Sequence, residues 1–151
     1  MALVGRILRT HAPASVILIR LLLAGVFISE GVQKFLFPAV LGVGRFAKIG
    51  IPFPQATAPF VGVIEAGCGL LVLGGLLTRL AALPLIVDML VAIATTKVPI
   101  LLHSGFWSMA HEARTDYSML LGAVFLLIVG AGRWSIDAQL GSRDSPAKPS
   151  P

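Results

Sequence analysis

The residues of this chain that are best suited to chemistry are ionisable side chains placed inside apolar stretches. Four such stretches cover residues 14–37, 57–77, 80–102 and 117–132. A charged group in apolar surroundings usually has a partner, and it often marks a site for ions, protons or ligands. The charged residues that we select as candidates for such a site are Arg20, Glu30, Lys34, Glu65, Asp88, Lys97 and Asp116.

Helical spacing predicts how these groups are arranged. Glu30 and Lys34 are four residues apart, so they share one helix face and are able to pair. A rise of about 1.5 Å per residue gives each group an approximate depth in its stretch. On that scale the outer half of the molecule holds Glu30, Lys34, Glu65, Lys97 and Asp116, and the inner half holds Arg20, Arg79 and Asp88.

Two interpretations of these charges stay open at this level. In the first, they form buried ion pairs that keep the helices in register. In the second, they line a polar pocket that is centred on Glu65 and Lys34 and opens outward. Such a pocket would bind a small polar or quinone-like ligand, or pass protons. Under either interpretation, Glu65 is predicted to be paired with a cation or protonated.

The stretches that carry these groups have the length of membrane-spanning helices. About 20 residues of α-helix cross the hydrocarbon core of a bilayer. The chain is 56% hydrophobic and 13% charged, whereas soluble domains are about 25% charged. We therefore predict an all-α polytopic membrane protein, a four-transmembrane-helix bundle, within a domain at residues 1–137. A disordered tail is expected at residues 138–151.

The segments between the stretches predict the connections. Proline and glycine crowd residues 38–56, which indicates a loop, with a short surface helix expected at 39–48. Arg79 is nearly the whole turn between the second and third stretches. Residues 103–115 form the third connection, and residues 1–12 have the pattern of an interfacial helix.

The basic residues predict orientation and partners. The net charge is +5, and the basic residues outside the stretches lie in tails and turns, where we expect contact with anionic lipid rather than nucleic acid. Six of them fall on the side of both termini and three on the other side. This bias predicts a bacterial inner-membrane protein with both termini in the cytoplasm.

The second stretch also predicts how the helices pack. Ala58, Gly62, Glu65 and Gly69 recur at spacings of four, three and four, so they form one stripe of mostly small residues. Small residues let helix backbones approach closely in a bilayer. Glu65 is therefore expected to face a neighbouring helix.

Several kinds of site have no signature here. The single cysteine, Cys68, excludes an intramolecular disulfide and a Cys-x-x-Cys pair. His103 and His111 share one connection with Glu112, but their spacing matches no specific metal site, and no metal is predicted. No nucleophile or nucleotide motif is visible, so catalytic residues are not assigned.

Short motifs occur in four places along the chain. Residues 20–35 contain an arginine, an apolar run and Gly-x-x-Lys, and residues 46–52 end in Gly-x-Pro. Residues 65–81 carry a Glu–Gly–Gly–Thr–Ala pattern, and residues 130–137 read Gly-x-Gly-x-x-Ser-x-Asp. In this order and spacing the motifs resemble the DoxX family of small four-helix membrane proteins, over about residues 15–137.

The resemblance implies a membrane component of a quinone- or thiol-linked redox or oxidative-stress assembly. The family takes its name from a subunit associated with thiosulfate:quinone oxidoreduction. No cofactor is evident in the residues, so electron transfer would need a bound quinone or a redox partner subunit. A homo-oligomer is a further expectation. The alternatives are a proton-coupled small-solute carrier that uses Glu65 and Asp88, and a scaffold without a ligand.

Overall fold

A computed structural model describes residues 12–143 as helices joined by short turns. The helices are α1 (Val16–Leu36), α2 (Val43–Lys48), α3 (Pro54–Gly74), α4 (Thr78–Ala92), α5 (Val98–Val129) and α6 (Ile136–Arg143), with a π-helical turn, Ile93–Lys97, between α4 and α5. No strand occurs among these residues, so the predicted all-helical class is confirmed. The interfacial helix predicted at 1–12 lies, except for Ala12, outside the described residues.

Within residues 12–143, three helical segments are long and apolar enough to cross a membrane. They are Val16–Leu36, Pro54–Gly74 and Thr78–Val129, with 21, 21 and 52 residues. Their outer faces expose large apolar side chains; Leu18, Leu70 and Ile128 are 66%, 59% and 70% exposed. Lipid tails accept such a surface, whereas contiguous apolar surface of this kind is rare on soluble monomers. The chain is a membrane protein.

The third segment contains both the third and the fourth predicted stretches. The connection predicted at 103–115 is helical, apart from Gly105 with φ 81° and ψ 174°. A straight helix would separate Arg79 from Ile128 by roughly 70 Å. Instead, the Arg79 guanidinium donates a hydrogen bond to the Ile128 carbonyl oxygen at 3.2 Å. The chain therefore reverses at Gly105, where a side chain would disfavour the backbone conformation.

Helices α1 and α3 pack through glycine. The buried residues of α3 lie along one face and are Ala58, Gly62, Glu65, Gly69 and Val72. A Cβ added to Gly31 of α1 would lie 2.6 Å from the Gly62 carbonyl oxygen and 2.7 Å from the Ala66 backbone nitrogen. Only hydrogen fits at Gly31, so the two backbones approach more closely than larger residues allow.

The turn between α3 and α4 differs from its predicted position. It occupies residues 75–77, a few residues before its expected position at Arg79. The helix ends there because Gly75 and Leu77 adopt left-handed conformations with φ 67° and 49°. The Asp137 carboxylate accepts hydrogen bonds from the backbone N–H groups of Leu77, at 2.7 Å, and Thr78, at 3.0 Å. These bonds satisfy free donors at the start of α4.

Asp137 belongs to a segment that the sequence places at the edge of a disordered tail. Residues 138–143 of that predicted tail are instead part of α6, and residues 144–151 lie outside the described residues. The Asp137 backbone N–H also donates to the Gly75 carbonyl oxygen at 2.9 Å. Contacts with the α3–α4 turn thus hold the start of α6. Amino-acid composition does not predict these contacts.

Candidate functional site

A cavity of about 600 Å³ lies between the helices. It is lined by residues of α1, α3, α4, the π-helical turn and α5, together with residues of α2 and its flanking loops. Its volume falls in the range of small-molecule sites. Eight charged residues line it, namely Glu30, Lys34, Arg45, Glu65, Asp88, Lys97, Glu112 and Asp116.

In the wall of the cavity, Lys34 of α1 and Glu65 of α3 form an ion pair. The Lys34 Nζ and Glu65 Oε2 atoms are 2.5 Å apart, and the two side chains are only 9% and 4% exposed. Gly31 and Gly62 lie one helical turn before these residues, and their close contact brings the two helices within reach of this bond. An ion pair so sheltered is held by the packing of the helices around it.

Glu30 is not the ionic partner of Lys34, although the four-residue spacing allows that pair. The Lys34 ammonium instead lies 3.5 Å from the Glu30 backbone carbonyl oxygen. The Glu30 residue is exposed, whereas Glu65 is buried. A counter-charge stabilises a buried carboxylate more than one that is already solvated by water, which explains why Lys34 pairs with Glu65.

Asp88 of α4 joins this pair from a third helix. Its carboxyl group lies within hydrogen-bonding reach of Glu65. The Asp88 Oδ2 atom is buried and makes no hydrogen bond to any residue within 12–143. One buried acceptor in the cavity wall is therefore left for a proton.

A second ion pair lies on the other wall. The Lys97 Nζ atom is 3.2 Å from Asp116 Oδ2, with side chains 11% and 20% exposed. Lys97 ends the π-helical turn, in which the Thr96 hydroxyl donates to the Ala92 carbonyl oxygen at 2.6 Å. Such π-helical turns often occur at functional sites, because the extra residue redirects side chains.

Arg20 lies outside the cavity. Its guanidinium donates hydrogen bonds to the carbonyl oxygens of Val72, at 2.8 Å, Leu73, Ala131, at 3.2 Å, and Trp134, at 2.5 Å. It caps the end of α3 and ties that end to the segment before α6. The side chain is buried and hydrogen-bonded, so its role is to connect the end of α3 with the segment before α6.

Arg45 and Glu112 are cavity residues that sequence reasoning did not select. Both lie in predicted connections, Arg45 in the short surface helix expected at 39–48 and Glu112 in the connection at 103–115. Neither has a spacing that points to the pocket, since the loop and the reversal at Gly105 bring them there. The sequence feature that could have indicated these two residues is a charged side chain in a segment that connects two helices.

The remaining reactive side chains lie elsewhere. Cys68 is half-buried and does not line the cavity. The His103 ring bonds to the Pro99 carbonyl oxygen at 2.7 Å, and His111 borders a separate shallow depression with Trp107. In the described part of the chain, no group of three or more His, Cys, Asp or Glu residues could hold a metal ion.

Comparison with known proteins gives two matches. The family model described as DoxX matches residues 15–98, which include Lys34, Glu65 and Asp88. A relative from Mycobacterium tuberculosis, described as an uncharacterized membrane protein, is 55% identical over 144 residues, covering 91% of this chain and 88% of the relative. No solved structure matches the chain.

Proposed function

This chain belongs to the DoxX family, and on that premise we propose that it is the quinone-binding membrane component of a redox or oxidative-stress assembly. The supporting observation is the Lys34–Glu65 pair inside a cavity that is also lined by Phe27, Phe46 and Phe60. A quinone headgroup is a flat apolar ring with two acceptor oxygens. It needs apolar walls and a few donors, and the cavity offers both.

In this proposal the chain binds the quinone and a partner protein supplies the electrons. Reduction of a quinone to a quinol takes two electrons and two protons. The described residues hold no redox-active pair of cysteines, so the electrons come from a redox partner subunit. The Lys34 ammonium donates to one carbonyl oxygen of the ring, and the acid groups of the cavity pass the protons.

The proposed membrane arrangement has four crossings. The Arg79–Ile128 hydrogen bond requires α5 to return alongside α4, so the 52-residue segment would cross twice. We propose the bacterial inner membrane, with both termini in the cytoplasm, from the six-to-three bias of basic residues. Self-association into a homo-oligomer remains part of the proposal.

Quinone binding in lipid nanodiscs tests the proposal. A short-chain quinone should quench the tryptophan fluorescence of the reconstituted protein saturably. Lys34→Met should raise the Kd about tenfold, since it removes a charged donor. Lys48→Met is the matched control, because Lys48 is exposed on α2 and does not line the cavity. Absence of saturable binding, or equal Kd values for the two variants, would contradict the proposal.

A proton-coupled carrier for a small solute is the second candidate. The buried, unbonded Asp88 Oδ2 atom beside Glu65 favours it, since intramembrane carboxyl groups that exchange protons are typical of transporters. Uptake into proteoliposomes that depends on a pH gradient, and that Asp88→Asn abolishes, would support this function. Quinone binding without any uptake would support the first.

A further inference from the structure

The central cluster of the cavity contains one base and two acids. Lys34 carries one positive charge and is bonded to Glu65, while the Asp88 carboxyl group lies within hydrogen-bonding reach of Glu65. Two carboxylates have only acceptors to offer each other, so a hydrogen bond between them requires a proton. Lys34 neutralises one of the two carboxyl groups, and one proton neutralises the other.

The surrounding charges do not replace that proton. Glu30 on α1 and Asp116 on α5 both add negative potential at Asp88. Lys97, which also lines the cavity, is bonded to Asp116. The other charged groups that line the cavity are Arg45 on α2, which is exposed, and Glu112 on α5. The walls thus carry five acidic and three basic residues, and the excess of acid disfavours a second bare carboxylate.

We propose that the Glu65–Asp88 pair holds one proton, and that this proton makes the cavity distinguish a quinone from a quinol. The inference rests on the proposed function and adds the group that recognises the oxidation state of the ligand. The protonated pair donates a hydrogen bond to a quinone carbonyl oxygen. The deprotonated pair only accepts, so it suits the hydroxyl groups of a quinol. The proton belongs to the pair as a unit.

The place of Asp88 in the cavity wall lets a ligand contact the pair. The Asp88 residue is half-buried and lines the cavity, whereas its Oδ2 atom is buried without a hydrogen bond to any residue within 12–143 and is available to the shared proton. Glu65 has its Oε2 atom engaged by Lys34. The ligand therefore meets the pair at the Asp88 carboxyl group, and the Lys34–Glu65 bond fixes the charge of the cluster.

Infrared spectroscopy tests the proton without any ligand. The reconstituted wild-type protein at neutral pH should show a protonated carboxyl C=O band that shifts on exchange into D₂O. The band should disappear in Asp88→Asn, and also in Glu65→Gln, which serves as a second isosteric variant. It should persist in Asp137→Asn, because Asp137 lies at the far end of the helices and outside the cavity. Absence of the wild-type band overturns the inference.

Binding of both ligand forms tests what the proton does. In the wild type, raising the pH until the band disappears should change the ratio of the quinone Kd to the quinol Kd by about tenfold, in favour of the quinol. In Asp88→Asn this ratio should become independent of pH. A wild-type ratio that does not change with pH overturns the inference and leaves the proposed function intact. Binding of neither form at any pH, with the band present, overturns the proposed function and the recognition of oxidation state together.

Discussion

Lys34 shows how a single residue connects the fold to the cavity. Its ammonium is bonded to Glu65 across the α1–α3 interface, and the same group lines the cavity. In apolar surroundings a charge without a partner is far more costly than a bonded pair, so each member depends on the other. The pair therefore stabilises the helix packing at the place where a ligand would bind.

Removal of Lys34 alone should destabilise the protein. Lys34→Met leaves Glu65 buried without its counter-charge, and we expect a loss of about 3 kcal/mol in the free energy of unfolding. The double variant Lys34→Met/Glu65→Leu should recover most of this loss. Unfolding in denaturing detergent, followed by circular dichroism, measures all three proteins. A double variant as unstable as the single one would contradict the expectation.

Arg20 is a residue whose charge serves structure. Arg20→Lys keeps the charge but replaces the planar guanidinium with one ammonium, which cannot reach four carbonyl oxygens on two segments. We expect a loss of about 2 kcal/mol, since each buried acceptor left unsatisfied costs about 1–3 kcal/mol. Thermal unfolding in detergent measures it. Arg45→Lys, at an exposed arginine, is the control and should change stability by less than about 0.5 kcal/mol.

At the scale of elements, the α1–α3 contact depends on glycine at one position of each helix. The atoms that an added Cβ would meet at Gly31 are mainly backbone atoms of α3. Backbone atoms cannot move aside as a flexible side chain can, so the helices themselves must separate. This contact also sets the spacing between Lys34 and Glu65, which links helix packing to the cavity.

A pair of alanine substitutions in α1 isolates this contact. Gly31→Ala should destabilise the protein by about 1–3 kcal/mol through overpacking. Gly25→Ala in the same helix meets no atom within 4 Å and should leave stability unchanged or raise it by up to about 1 kcal/mol. Detergent unfolding compares them, and equal stabilities would refute close packing at Gly31. Gly31→Ala should also weaken quinone binding, because it displaces Lys34 from Glu65.

At the scale of the whole molecule, the reversal at Gly105 decides how often the chain crosses the membrane. If the segment Thr78–Val129 crosses twice, the loop after α1 and the helix α6 lie on opposite sides of the membrane. If it crosses once, they lie on the same side. The reversal also brings Asp116 back to Lys97, so the cavity wall depends on it.

Labelling with a membrane-impermeant thiol reagent distinguishes these topologies. In a Cys68→Ala background, Val40→Cys and Ser142→Cys place one thiol in the loop after α1 and one in α6. With four crossings and both termini in the cytoplasm, intact cells should label only Val40→Cys, and inverted vesicles only Ser142→Cys. Labelling of both variants from one side would rule out four crossings.

Hydrophobic length and helical period predicted the all-helical class and the long apolar helices of this protein, but not every helix boundary. Long apolar runs require helices in a bilayer, since every backbone polar group must be bonded within its own segment. The period of small residues in α3 identified the face that carries Glu65, because side chains three and four apart share a face. The composition likewise indicated a membrane protein, and the matches with known proteins agree.

The sequence alone did not determine which group each charged side chain binds, because these partners are set by contacts between helices. Local spacing allowed Lys34 to pair with Glu30, yet its partner is Glu65, 31 residues away, because glycine contacts bring α1 against α3. Asp88 meets Glu65, and Arg20 binds backbone carbonyl oxygens, for the same reason. The position of a residue along its helix follows from the sequence, whereas the rotation of each helix and its distance from the next depend on how the helices pack. The start of the small helix that contains Asp137 is likewise held by long-range hydrogen bonds that no local pattern encodes. A connection was predicted at 103–115, but only the structure places the reversal at Gly105.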